Sequence, residues 1–113
     1  MASASAPLQE WLVILPDHVG ALDKRLAVRG EHLEGLKADR DDFWLWGGAM
    51  LEEPIVPGDT NPPKMKGSAM LIGAKSKEEV VERLQKDVYT KGEVWDFSKV
   101  QIIPFKSALR KPL

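Results

Sequence analysis

Four short apolar runs alternate with two segments of helical period, and this alternation limits the folds open to the chain more than any other feature. The runs are EWLVIL (Glu10–Leu15), FWLWGGAM (Phe43–Met50), GSAMLIGA (Gly67–Ala74) and KVQIIPF (Lys99–Phe105). Each has strand length and is bounded by turn residues. One helical segment lies in His18–Arg40, and the other opens at Ser76. The order β-α-β-β-α-β is the split βαβ pattern of the ferredoxin-like fold. It predicts an α+β domain: a four-stranded antiparallel sheet with two helices on one face.

In the first helical segment, Leu22, Leu26, Leu33 and Leu36 recur at helical spacing and predict an apolar stripe that docks on the sheet. Arg29 falls inside that stripe, and Arg25 and His32 fall on its shoulder. Charged groups at the edge of a buried surface need partners, because burying an unpaired charge costs several kcal/mol or more. Asp17 stands where an N-cap is expected. Gly30 and Gly35 within the helix predict a close neighbour or some bending. In the second helix, Ser76 and Glu79 have capping-box spacing, and Val80, Val81, Leu84 and Val88 form the apolar face. Asp87 also turns inward, at a helix end where the macrodipole opposes an acid. Lys75, Lys77, Glu78, Glu79, Glu82 and Arg83 read as a solvated helix face. Tyr89–Phe97 reads as a loop or short hairpin.

The second strand is apolar on both faces and runs into Gly47 and Gly48, which mark a bulge or a point of close approach by a ligand or backbone. Glu52–Lys66 holds four prolines and predicts a long loop of functional kind, a candidate lid. Trp11, Trp44 and Trp46 exceed the aromatic surface one small core needs. The sheet face without helices would then be bare and apolar, which predicts a homodimer packed sheet against sheet.

The chain has 113 residues, enough for one domain, here expected over residues 10–107. An N-terminal arm (1–9) and a basic tail (108–113) flank it. Sixteen basic residues against seventeen acidic ones argue against a nucleic-acid partner. With no cysteine there is neither a disulfide nor a thiolate metal site. No apolar run reaches membrane-spanning length, so no membrane association is expected. MASASAPLQ lacks the features of a signal or transit peptide, and a cytoplasmic protein is expected. His18 beside Asp17 reads as exposed. No His/carboxylate set has metal-ligand spacing, so neither metal nor cofactor is implied.

The chain resembles the YCII-related proteins of the dimeric α/β barrel group. The resemblance rests on WLVIL in the first strand, KRLAVRGEHLEGL (Lys24–Leu36) in the first helix, and the Gly47–Gly48 pair. It continues in KDVYTKGEV (Lys86–Val94) and VQIIPF (Val100–Phe105), and so spans nearly the whole domain. The family usually has proline after the acid of the second helix; here Val88 stands there, which would let the helix run on and re-aim Asp87. The resemblance implies a site made by His32 and Asp87. It also implies proton-transfer chemistry on a small organic acid or lactone, since a dehalogenase of chlorinated muconolactones belongs to the group and muconolactone isomerases share the wider fold.

A His–Asp pair suits general acid–base work, because the carboxylate sets the imidazole tautomer. Arg25 or Arg29 would bind a substrate carboxylate. Tyr89 would donate to an oxygen that gains charge, in a pocket near Gly47 and Gly48. Two function classes fit these residues. One is a small lyase or isomerase with His32 as acid/base and Asp87 as its orienter. The other is a non-catalytic dimeric ligand-binding or accessory domain in which His32 and Asp87 merely tie the helices together.

Overall fold

In a computed structural model, which describes residues 7–111, the chain forms the expected α+β ferredoxin-like domain. Residues 1–6 of the expected arm and 112–113 of the expected tail lie outside the described residues. The strands are β1 (Gln9–Pro16), β2 (Trp44–Leu51), β3 (Met65–Ala74) and β4 (Gln101–Phe105). The helices are α1 (Leu22–Lys37), α2 (Lys77–Lys86) and the single turn α3 (Val88–Lys91), with a 3₁₀ turn at Phe97–Lys99. The sheet is antiparallel throughout in the order β2-β3-β1-β4. Pro104 lies on β4, an edge strand, where its missing N–H disturbs no ladder.

Cross-strand register sorts the side chains into two faces. Val13 stands opposite Met70 and Ile102, and Leu15 opposite Ser68. This row packs with Val80 and Leu84 of α2, Tyr89 of α3, and Val94 and Trp95 into one buried core. Trp11 and Trp44 belong to this helix-covered side: both pack on the core, and their indole N–H groups donate to the Ala74 carbonyl and the Asp39 carboxylate. They do not build the bare face, contrary to expectation. That face carries Leu12, Leu71, Ile103 and Phe105, with Trp46 set opposite Leu71. Ile103, Phe105 and Trp46 are each about two-fifths exposed.

The helix α1 departs most from its sequence pattern. It begins at Leu22, with Ala21 as its cap residue and no side-chain cap, so Asp17 is not an N-cap. Gly20, at φ +76°, makes the turn between β1 and α1, a conformation that costs a glycine little. The buried residues of the helix are Arg25 and His32, while Leu26 and Leu33 are exposed. Leu22 and Leu36 are only half-buried, so the leucine stripe is not the buried face of the helix. Burying one leucine contributes about 1.5–3 kcal/mol. Leaving a buried ion-pair partner alone costs about 3–5 kcal/mol. Because Arg25 and His32 find carboxylates inside the same subunit, the helix rotates its polar face inward.

Other boundaries shift less. The Ser76 Oγ accepts from the Glu79 amide as expected, and the Glu79 carboxylate turns to the Lys75 amide. The helix α2 ends at Asp87 even though Val88 replaces proline, and Tyr89–Phe97 is not a hairpin but begins with α3. The β2 bulge falls between Trp44 and Trp46, one step before the glycines. The proline-rich loop gives Met65 and Lys66 to β3, and its residues 52–64 are all exposed. Gly30 has no neighbour within van der Waals range, and Gly35 meets only the Arg83 guanidinium.

Candidate active site

The break between α2 and α3 places Asp87. With φ −69° and ψ 145°, the residue ends α2 and caps α3. The conflict with the α2 macrodipole is thus relieved, because the carboxylate faces the amide end of the next turn. Asp87 Oδ1 accepts from the Tyr89 amide at 2.9 Å and meets His32 Nδ1 at 2.7 Å. Its Oδ2 accepts from Arg83 Nη1 at 3.1 Å. Burial pushes the Asp87 carboxyl up. The His32 and Tyr89 hydrogen bonds, with the charges of His32 and Arg83, outweigh this and hold it below the ordinary aspartate range. An ionised carboxylate only accepts, so Nδ1 of His32 carries the proton and Nε2 is the free nitrogen.

The imidazole is fixed by packing as well. The Tyr89 ring stacks on it at 3.8 Å and 10°, and Trp95 meets its edge at 5.5 Å. The Tyr89 hydroxyl is buried without a hydrogen-bond partner among the described residues, and burial raises its pKa, so it stays protonated. Nε2 makes no hydrogen bond to the described residues, and His32 lines a cavity of about 260 Å³. Water occupies about 30 Å³ per molecule in the liquid, so the space suits a single-ring molecule.

The cavity lies between α1 and the β2–β3 half of the sheet. All the residues singled out from the sequence except Asp87 line it: Arg25, Arg29, His32, Gly47, Gly48 and Tyr89. Asp87 stands behind His32. Gly47 sits close over the Met70 Cβ, whereas Gly48 faces open space. Arg25 is already committed: Nε and Nη2 grip the Asp17 carboxylate at 2.8 and 3.2 Å, and Nη2 also donates to Ser68 Oγ at 2.6 Å. Its guanidinium lies 4.7 Å from the centre of the Tyr89 ring. Arg29 has no carboxylate partner among the described residues and is the unengaged cation of the cavity wall. No residue of loop 52–64 lines the cavity, so that loop is not its lid here.

Three contributors escaped the sequence reading. Arg83, whose spacing predicts a solvated face, bridges Asp87 and Asp39 and lies 5.2 Å from the Trp44 ring centre. Asp17, expected as an N-cap, instead grips Arg25. Ser68 carried a usable signal: a hydroxyl in register with Met70 and Ile72 occupies an inward strand position. His18 is largely exposed, 3.9 Å from Asp96. Among the described residues no three His, Cys, Asp or Glu side chains converge on a metal-sized site, and no helix is long and apolar enough to cross a membrane.

Fold and cavity together define a small α+β protein with a carboxylate-backed imidazole at the edge of a pocket. The chain is 38% identical over 104 residues to fusaric acid biosynthesis protein 2 of Gibberella fujikuroi, covering 88% of this chain and 95% of that one. It belongs to the family of that protein. It is also 37% identical over 104 residues to aspercryptin biosynthesis cluster protein B of Emericella nidulans, covering 91% of this chain but 66% of that relative's length. No protein-family model matches the chain. Among solved structures, it shares its fold with the 5-chloro-2-hydroxyhydroquinone dehydrochlorinase of Burkholderia phenoliruptrix, in complex with 2,5-dihydroxybenzoquinone. The TM-score is 0.72 at 24% identity, over 86% of this chain and 93% of that one.

Proposed function

We propose that the protein is a small lyase or isomerase of YCII-related type, acting by proton transfer on a small organic acid, lactone or hydroxylated ring. The observation that carries this reading is the 2.7 Å contact between His32 Nδ1 and Asp87, which leaves Nε2 without a hydrogen bond to the described residues on a side chain that lines a cavity. In the proposed step, Nε2 takes a proton from substrate carbon or oxygen. The bonding pair moves into the substrate, where it forms a double bond and either expels a leaving group or leaves a carbon open to reprotonation. Asp87 stabilises the imidazolium without itself taking the proton. In this reading Arg29 would hold a substrate anion, and Tyr89 would donate to the oxygen that gains charge. Two relatives named for biosynthesis of small molecules and a fold neighbour that is a dehydrochlorinase support this class of chemistry. We further propose a homodimer through the uncovered sheet face around Leu12, Ile103 and Phe105.

Purified protein would be assayed on muconolactones and chlorinated hydroxyhydroquinones. A His32→Ala variant is expected to lose about 10²–10⁴ of the rate. A variant that turns over the substrate at the wild-type rate sinks the proposal. Substrates that bind saturably yet never react would instead mark a ligand-binding domain. Light scattering at micromolar concentration tests the dimer, which a monomeric mass refutes.

A further inference from the structure

The buried hydrogen bonds around Ser68 have a direction that bears on what the cavity can hold. Ser68 Oγ lies 2.6 Å from Arg25 Nη2 and 3.0 Å from Trp95 Nε1. Guanidinium and indole nitrogens can only donate. Both lone pairs of the hydroxyl are therefore occupied, and its own proton must point elsewhere. No acceptor among the described residues takes that proton, although the residue is 6% exposed and lines the cavity. Tyr89 borders the same cavity, but its hydroxyl is shut away from solvent and has no acceptor among the described residues. The Arg29 guanidinium, on the same wall, has no carboxylate partner among the described residues.

We infer that Ser68 is a ligand-binding residue, held as a donor by Arg25 and Trp95, and that with Arg29 it selects an oxyanion. The ligand class is a small planar molecule bearing an ionised enol, phenol or carboxylate oxygen, with no hydrogen on the oxygen that meets Ser68. An un-ionised hydroxyl there can still accept, but it gains less, since hydrogen bonds to charged acceptors are about twice as strong as neutral ones. Asp17 has a positioning role, because it holds Arg25 in the orientation that occupies Ser68. The inference rests on the same cavity as the proposed reaction but not on His32 being catalytic.

The test uses 2,5-dihydroxybenzoquinone, a vinylogous acid ionised at neutral pH, and its uncharged 2,5-dimethoxy ether. Binding to the full chain is followed by calorimetry and by the NMR signal of the Trp95 indole N–H. The dihydroxy probe should bind at least tenfold tighter than the ether and shift the Trp95 signal saturably. Ser68→Ala should weaken the dihydroxy probe about tenfold or more and leave the ether nearly unchanged. Because that variant strands two buried donors, Ser68→Asp serves as the second: it accepts from Arg25 and Trp95, cannot donate when ionised, and should abolish binding of the anion. Ser68→Thr, which keeps the hydroxyl, should restore it. Equal affinity for the two probes, equal affinity of wild type and Ser68→Ala, or no saturable binding of the dihydroxy probe at millimolar concentration overturns the inference. Loss of affinity on Ser68→Ala in a protein that turns over no substrate would leave this inference standing and remove only the enzymatic reading.

Discussion

The helices α1 and α2 cover the same face of one sheet by opposite means. The helix α2 buries Val80 and Leu84, two of the four residues its periodicity points to, with Val81 half-buried and Val88 beyond its end, and its capping serine works as its spacing suggests. The helix α1 buries Arg25 and His32 and leaves Leu26 and Leu33 at the surface. The difference is one of partners. An apolar face is stabilised by any dry surface, so its own spacing is enough to place it. A charged face goes inside only where carboxylates and hydroxyls await it. Here these are Asp17 just after β1, Ser68 on β3 and Asp87 between α2 and α3. One helix is thus placed for stability, while the other accepts a costlier burial to hold two basic groups at a cavity.

The contrast can be broken at its most demanding point first. His32→Ala should cost about 10²–10⁴ in rate on any substrate the protein turns over. Leu84→Ala at an equal folded fraction should leave the rate almost intact, and steady-state kinetics on the pair decides. Stability comes next. Asp87→Ala strands His32, the Tyr89 amide and Arg83, and should destabilise by about 3–5 kcal/mol in urea unfolding. Leu84→Ala should cost about 2–5 kcal/mol through its cavity. If Asp87→Ala proves as mild as a surface change, the charged packing of α1 is ornamental.

Acid sharpens the comparison further. The Asp87 carboxyl lies below the ordinary aspartate range in the folded protein. Its contribution is therefore complete above its unfolded value of about 3.9 and is lost as pH falls through the lower folded value. The stability gap between wild type and Asp87→Asn should be constant near neutral pH and shrink in acid, while the gap for Leu84→Ala stays flat across both. Unfolding midpoints at several pH values give the answer. The smallest expected effect is at the exposed stripe. Leu26→Ser should change stability by less than about 0.5 kcal/mol in the monomer. A loss of several kcal/mol would show that the leucine is buried in the assembled protein.

Element order, strand alternation and the α2 capping pair were readable from residue pattern, because each depends on neighbours in the chain. The pairing of His32 with Asp87 was reached through a resemblance, not through spacing; fifty-five positions separate the two. The roles of Asp17, Ser68 and Arg83 were not reached at all. The alternation of β3 turns Ser68 inward but does not name its partner, and an arginine on a helix looks the same whether solvent or a buried carboxylate faces it.

What the linear order settled by itself was the four-stranded α+β frame, since hydrophobic period and turn chemistry act over a few residues at a time. Which face of α1 turns inward was decided only in three dimensions. That choice balances leucine burial against the pairing of Arg25 and His32 with distant groups, and the balance exists only once β1, β3 and the α2–α3 break have come together.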